Sequence, residues 1–79
     1  MTAKEMFEEL GYKLSKVKED ETGFIVKRYS KGGWLIIDFY LEHEQFVCKD
    51  KNNEAFGVDM KELKAINKQV EELNWNKEE

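Results

Sequence analysis

The chain has no proline, one cysteine and one histidine, and no apolar run approaches the ~20 residues that a helix needs to cross a bilayer. Each scarcity removes a class. Without proline or a low-complexity stretch there is no extended linker, and residues 1–79 read as one domain without internal repeats. A single cysteine, Cys48, cannot close an internal disulfide, which favours a reducing compartment. The charged start "MTAKEMFEEL" does not read as a signal peptide, so a cytoplasmic protein is expected. No C-x-x-C or H-x-x-x-H spacing accompanies His43, so no metal module is legible. His43, Cys48 and Asp50 are the residues that a divalent ion would use, but an exposed turn histidine and a half-buried structural cysteine are the simpler reading. Seventeen acidic against thirteen basic residues give a net charge of -4, which argues against nucleic-acid binding.

What is present is dense in structural signals. Thr2 and Glu5 form a capping box flanked by a Met1/Met6 staple, Ala3, Met6, Phe7 and Leu10 recur at helical spacing, and Gly11 ends the run. A first helix over 3–10 follows. Asp59 with Glu62 repeats this grammar, flanked by Val58 and Leu63, and the stripe Leu63, Ile66, Val70, Leu73 predicts a second helix over 60–73. Asn74 suits a left-handed cap and places Trp75 to fold back on the core.

Between the helices the period becomes two. "YKLSKVK" at 12–18 is a weak, lysine-rich strand, its charges suiting a protected sheet edge; "EDETG" at 19–23 is a turn. "FIVKRYS" at 24–30, "WLIIDFYL" at 34–41 and "QFVCKD" at 45–50 are stronger strands. The pattern predicts an α+β domain, α-β-β-β-β-α, with a four-stranded antiparallel sheet packed with two helices.

Gly32 and Gly33 suit a type I′ hairpin turn. A two-residue loop there sets Lys27 opposite Asp38, Val26 opposite Phe39 and Ile25 opposite Tyr40. One face then carries Phe24, Val26, Leu35, Ile37, Phe39 and Leu41, the expected core. The other carries Ile25, Lys27, Tyr29, Trp34, Ile36, Asp38 and Tyr40. Such a mixed aromatic face is covered by one of the helices, or left open for a second copy of the chain or a different protein. As a platform for single-stranded nucleic acid, Tyr29, Trp34 and Tyr40 would meet bases and Lys27 and Lys31 phosphates.

For protein binding the candidates are Trp34, Tyr40, Tyr29 and Ile36 as anchors, Lys27 and Asp38 for polarity, and Glu42 and Glu44 in the following turn. Acidic clusters at Glu5, Glu8 and Glu9, at 19–21, and at Glu42 and Glu44 are also compatible with imitation of a phosphate backbone, though an ordinary solvated face is their default. Catalysis needs a nucleophile with a base, paired acids or a cofactor cradle, and none is legible. No cofactor and no enzymatic activity are expected.

The end segments "TAKEMFEELGY" at 2–12 and "MKELKAINKQVEELNW" at 60–75 resemble a family of small phage and prophage proteins of Gram-positive bacteria. Those relatives place a capped helix before an antiparallel sheet and close with a helix ending near tryptophan; Asn74 stands where glycine is usual. The resemblance implies a compact protein of a mobile element that binds and blocks host machinery, such as a CRISPR nuclease, without catalysis. A small regulatory nucleic-acid binder and a structural homodimer are the rivals.

Overall fold

In the computed structural model, the backbone is described for residues 1–19, 23 and 25–75, and the side chains of the same residues except Lys16, Lys18 and Glu19. The elements follow in the order α1 (Ala3–Glu9), β1 (Lys13–Glu19), β2 (Ile25–Lys31), β3 (Leu35–Tyr40), β4 (Gln45–Asp50) and α2 (Met60–Glu72). The four strands form one antiparallel sheet in sequence order, β1-β2-β3-β4. This is the predicted α-β-β-β-β-α fold. Phe24 and residues 20–22 of the predicted turn lie outside the described residues.

Both helices begin and end as their sequences dictate. Thr2 accepts from the Glu5 backbone N–H while Glu5 accepts from that of Thr2, and Asp59 and Glu62 repeat the exchange. The Thr2 backbone bond, followed by its hydroxyl, holds the Glu5 carboxyl below its ordinary range. At the other end of α1, Gly11 at φ 93° lets its N–H reach the Glu8 carbonyl and that of Tyr12 reach Phe7. Asn74 at φ 62° does the same for α2, with Trp75 bonding back to Val70. Both are Schellman ends, and each turns an aromatic residue inward.

Both helices lie on one face of the sheet. The core joins Phe7 of α1 and Ala65 and Ile66 of α2 to Tyr12, Tyr29, Ile37 and Phe39, with Leu14, Leu35, Leu41 and Cys48 packed against it. Phe7 stacks on Tyr29 with ring centroids 4.1 Å apart, and Phe39 meets Trp75 at 6.0 Å. Polar links fix the helical layer: Tyr29 donates to Gln69 at 2.7 Å, Tyr12 to Glu62, and the Ala3 N–H to Glu72 at 2.7 Å.

The hairpin between β2 and β3 corrects the expected register. Gly32 and Gly33 have φ 62° and 66°, as a I′ turn requires, and the Trp34 N–H donates to the Lys31 carbonyl at 3.0 Å. The ladder, however, resumes with Lys31 opposite Leu35, leaving Trp34 as an extra residue. One residue of slip reverses every side chain of the partner strand. Tyr29 therefore pairs with Ile37 and Lys27 with Phe39 on the helix-facing side, whereas Val26 pairs with Tyr40 and Arg28 with Asp38 on the opposite side. The helix-side cluster gains a tyrosine in place of a valine, Val26 being buried on the opposite side, and the acidic residue gains arginine in place of lysine.

Candidate functional site

The face away from the helices is built by alternation along the strands. Register sets three rows across the sheet: Lys13, Ser30, Ile36 and Lys49; then Arg28, Asp38 and Val47; then Val26, Tyr40 and Gln45. Among the described residues no element packs on this face, since α1 and α2 bury their apolar stripes in the core on the other side. Ile36, Tyr40 and Val47 are half-buried, and Val26 on the same face is 1% exposed.

Asp38 lies at the centre of this face, 0% exposed. Arg28 Nε and one terminal nitrogen donate to its two carboxylate oxygens at 2.7 and 2.9 Å, a forked pairing that lysine cannot make. Lys49 Nζ stands 3.5 Å from the same carboxylate. A carboxylate can be buried in the middle of a sheet only with such partners, and this cluster ties β2, β3 and β4 together. Among the described side chains, Lys13, Arg28 and Lys49 oppose the single carboxylate of Asp38.

The sequence candidates are divided by this geometry. Ile36 and Tyr40 share the open face, and Trp34 stands in the hairpin turn, 49% exposed, with Lys51 Nζ 4.2 Å over its ring. Tyr29 is 0% exposed in the core and no surface anchor. Lys27 lies on the helix-facing side with Nζ 5.9 Å from the Tyr29 ring, and Asp38 offers its oxygens to Arg28 and Lys49 rather than to the surface. Glu42 and Glu44 are exposed in the turn before β4, beside His43. Arg28, Val47 and Lys49 were missed; the signal for Arg28 was its position opposite Asp38, which a three-residue connection reveals and a two-residue one hides.

No known family model, curated protein or solved structure matches the chain. Its chemistry must be read from its own side chains.

The metal and nucleophile candidates do not converge. Cys48 pairs with Ile37 on the helix-facing side, Asp50 Oδ1 accepts from the N–H groups of Asn52 and Glu54 to close a turn, and His43 is exposed. No group of three histidine, cysteine, aspartate or glutamate residues among the described ones is placed to hold a metal ion. Burial, reinforced by Glu62, pushes the Cys48 thiol up to about 11, the opposite of an activated thiolate. A cleft of about 190 Å³ opens beside α1, lined by Met1, Met6, Glu9, Leu10, Lys61 and Lys64. It holds one carboxylate and two ammonium groups and no nucleophile. Among the described residues, no helix is long and apolar enough to cross a membrane.

Proposed function

We propose that this is a non-catalytic binding protein that recognises another protein through the open face of its sheet, with Ile36 and Tyr40 as anchors and Trp34 at the margin. The observation that carries the reading is the placement of both helices on one side, which leaves the half-buried Ile36, Tyr40 and Val47 of the other face without a described element over them. Apolar side chains ringed by charge are the composition of a binding surface rather than of a solvated one. The resemblance of the end segments to phage and prophage proteins supplies the target class: a host defence factor, with CRISPR nucleases the first to test, blocked by occupancy. A raised Cys48 thiol and the dispersed His43 and Asp50 support a role without chemistry.

The test is affinity capture from a bacterial host lysate with wild-type protein and an Ile36→Glu, Tyr40→Ala variant whose fold is checked by circular dichroism. A defence protein retained by the wild type alone, and inhibited by it once purified, is the expected result. Equal retention by both proteins moves recognition off this face, and a partner-free wild type overturns the assignment for that host.

A further inference from the structure

The cleft beside α1 divides its charge between two walls. α1 and α2 run antiparallel, since the Ala3 N–H at the start of α1 donates to Glu72 at the end of α2, and Tyr12, just past α1, donates to Glu62 near the start of α2. Glu9 belongs to the α1 wall and Lys61 and Lys64 to the α2 wall; all three are exposed, and none forms an ion pair with a described residue. Met1, Met6 and Leu10 supply the apolar lining, and Met1 is 66% exposed. The division extends along both helices. Glu5 stands one turn before Glu9 on α1, Lys68 one turn after Lys64 on α2, and Met60, 67% exposed, one turn before Lys64. A volume of about 190 Å³ is below the roughly 300 Å³ at which pockets for drug-sized ligands begin, so the cleft seats side chains rather than a free ligand.

We infer that the occupant is a second copy of this chain, docked helices to helices about a twofold axis that runs along the cleft. A partner surface of a single charge sign is repelled by one wall or the other, whereas the same surface turned about that axis matches both. The rotation lays α1 of each copy on α2 of the other at the same height. Glu9 then meets Lys61 and Lys64 of the other copy, twice over by symmetry, and the Met1, Met6 and Leu10 side chains of the two copies meet between them. Methionine suits such a seam because its unbranched side chain repacks against whatever faces it. The contact is small. The 13 residues of α2 extend about 20 Å, and two helices side by side span roughly 20 Å. A footprint on the order of 400 Å² per copy belongs to transient interfaces, so the dimer is populated at roughly hundreds of micromolar. Such a dimer holds both sheet faces outward, and its failure leaves the binding role proposed above untouched.

The test is analytical ultracentrifugation of the full chain from about 10 µM to about 1 mM, at low and at high salt. The expected result is a monomer–dimer equilibrium weakened by salt, and weakened about tenfold by Glu9→Lys or by Lys64→Glu, because symmetry makes each substitution act at two contacts. Glu9→Lys combined with Lys64→Glu exchanges the charges of the two walls and should return the affinity to within about threefold of wild type, a rescue that damage to the fold would not permit. The Ile36→Glu, Tyr40→Ala variant of the sheet face should associate as the wild type does. A chain that stays monomeric at millimolar concentration, single variants that dimerise unchanged, a combined variant no better than the singles, or association lost in the sheet-face variant each overturn the inference.

Discussion

At the scale of single residues, the pairing of Arg28 with Asp38 carries the most consequence. A buried carboxylate deprived of its arginine retains its desolvation cost, so Arg28→Met should lower stability by about 3 kcal/mol. Removing both charges in an Arg28→Met, Asp38→Leu variant should recover most of that loss, because the apolar pair needs no partner. A double-mutant cycle in urea measures the coupling; additive losses would mean that the two side chains do not stabilise each other. The same residue pair explains why the register was misread. Lys27 and Arg28 are adjacent cations, either can be set opposite an aspartate, and opposite charge alone does not distinguish them. Only the forked geometry does.

At the scale of elements, the helix ends were legible because their signals are local. A capping box and a left-handed cap are each written within five or six residues, and both helices obeyed them within a residue. Gly11→Ala is expected to cost about 1–2 kcal/mol, since alanine is strained at φ 93° and its Cβ would stand 3.2 Å from Lys31 Cε. Asn74→Gly should be neutral or slightly stabilising, as glycine takes φ 62° without strain. Thermal melts of the two variants check both signs. Strands were legible in type but not in orientation, because alternation defines two faces and says nothing about which partner residue each one meets. Trp34, an extra residue after a correctly anticipated I′ turn, was enough to reverse β2.

At the scale of the whole molecule, burial under the helices governs how stability responds to pH. Burial raises the Cys48 thiol from 9.0 to about 11 and Tyr29 from 10.0 to about 12. The Tyr12 phenol, buried and bonded to Glu62, rises above its ordinary 10.0 as well. The native chain therefore holds protons that the unfolded chain releases. The resulting stabilisation is complete below pH 9.0, and the shares of the thiol and of Tyr29 are lost as pH climbs through about 11 and about 12 respectively. Urea midpoints should fall across this alkaline window, and in Cys48→Ala the fall should begin nearer the phenol range. An alkaline transition unchanged by that substitution would show that the thiol is not protected by the fold.

The sequence by itself determined the two capped helices, the four antiparallel strands between them, and the core membership of Leu35, Ile37, Phe39 and Leu41. Those depend on neighbours within a few positions. The tertiary structure alone decided that both helices share one face, that Tyr29 faces them while Val26 is buried on the opposite side of the sheet, and that Asp38 is held by Arg28 and Lys49. Each of these depends on which distant residues meet, and a one-residue difference in a hairpin changes that without altering the hydrophobic pattern of either strand.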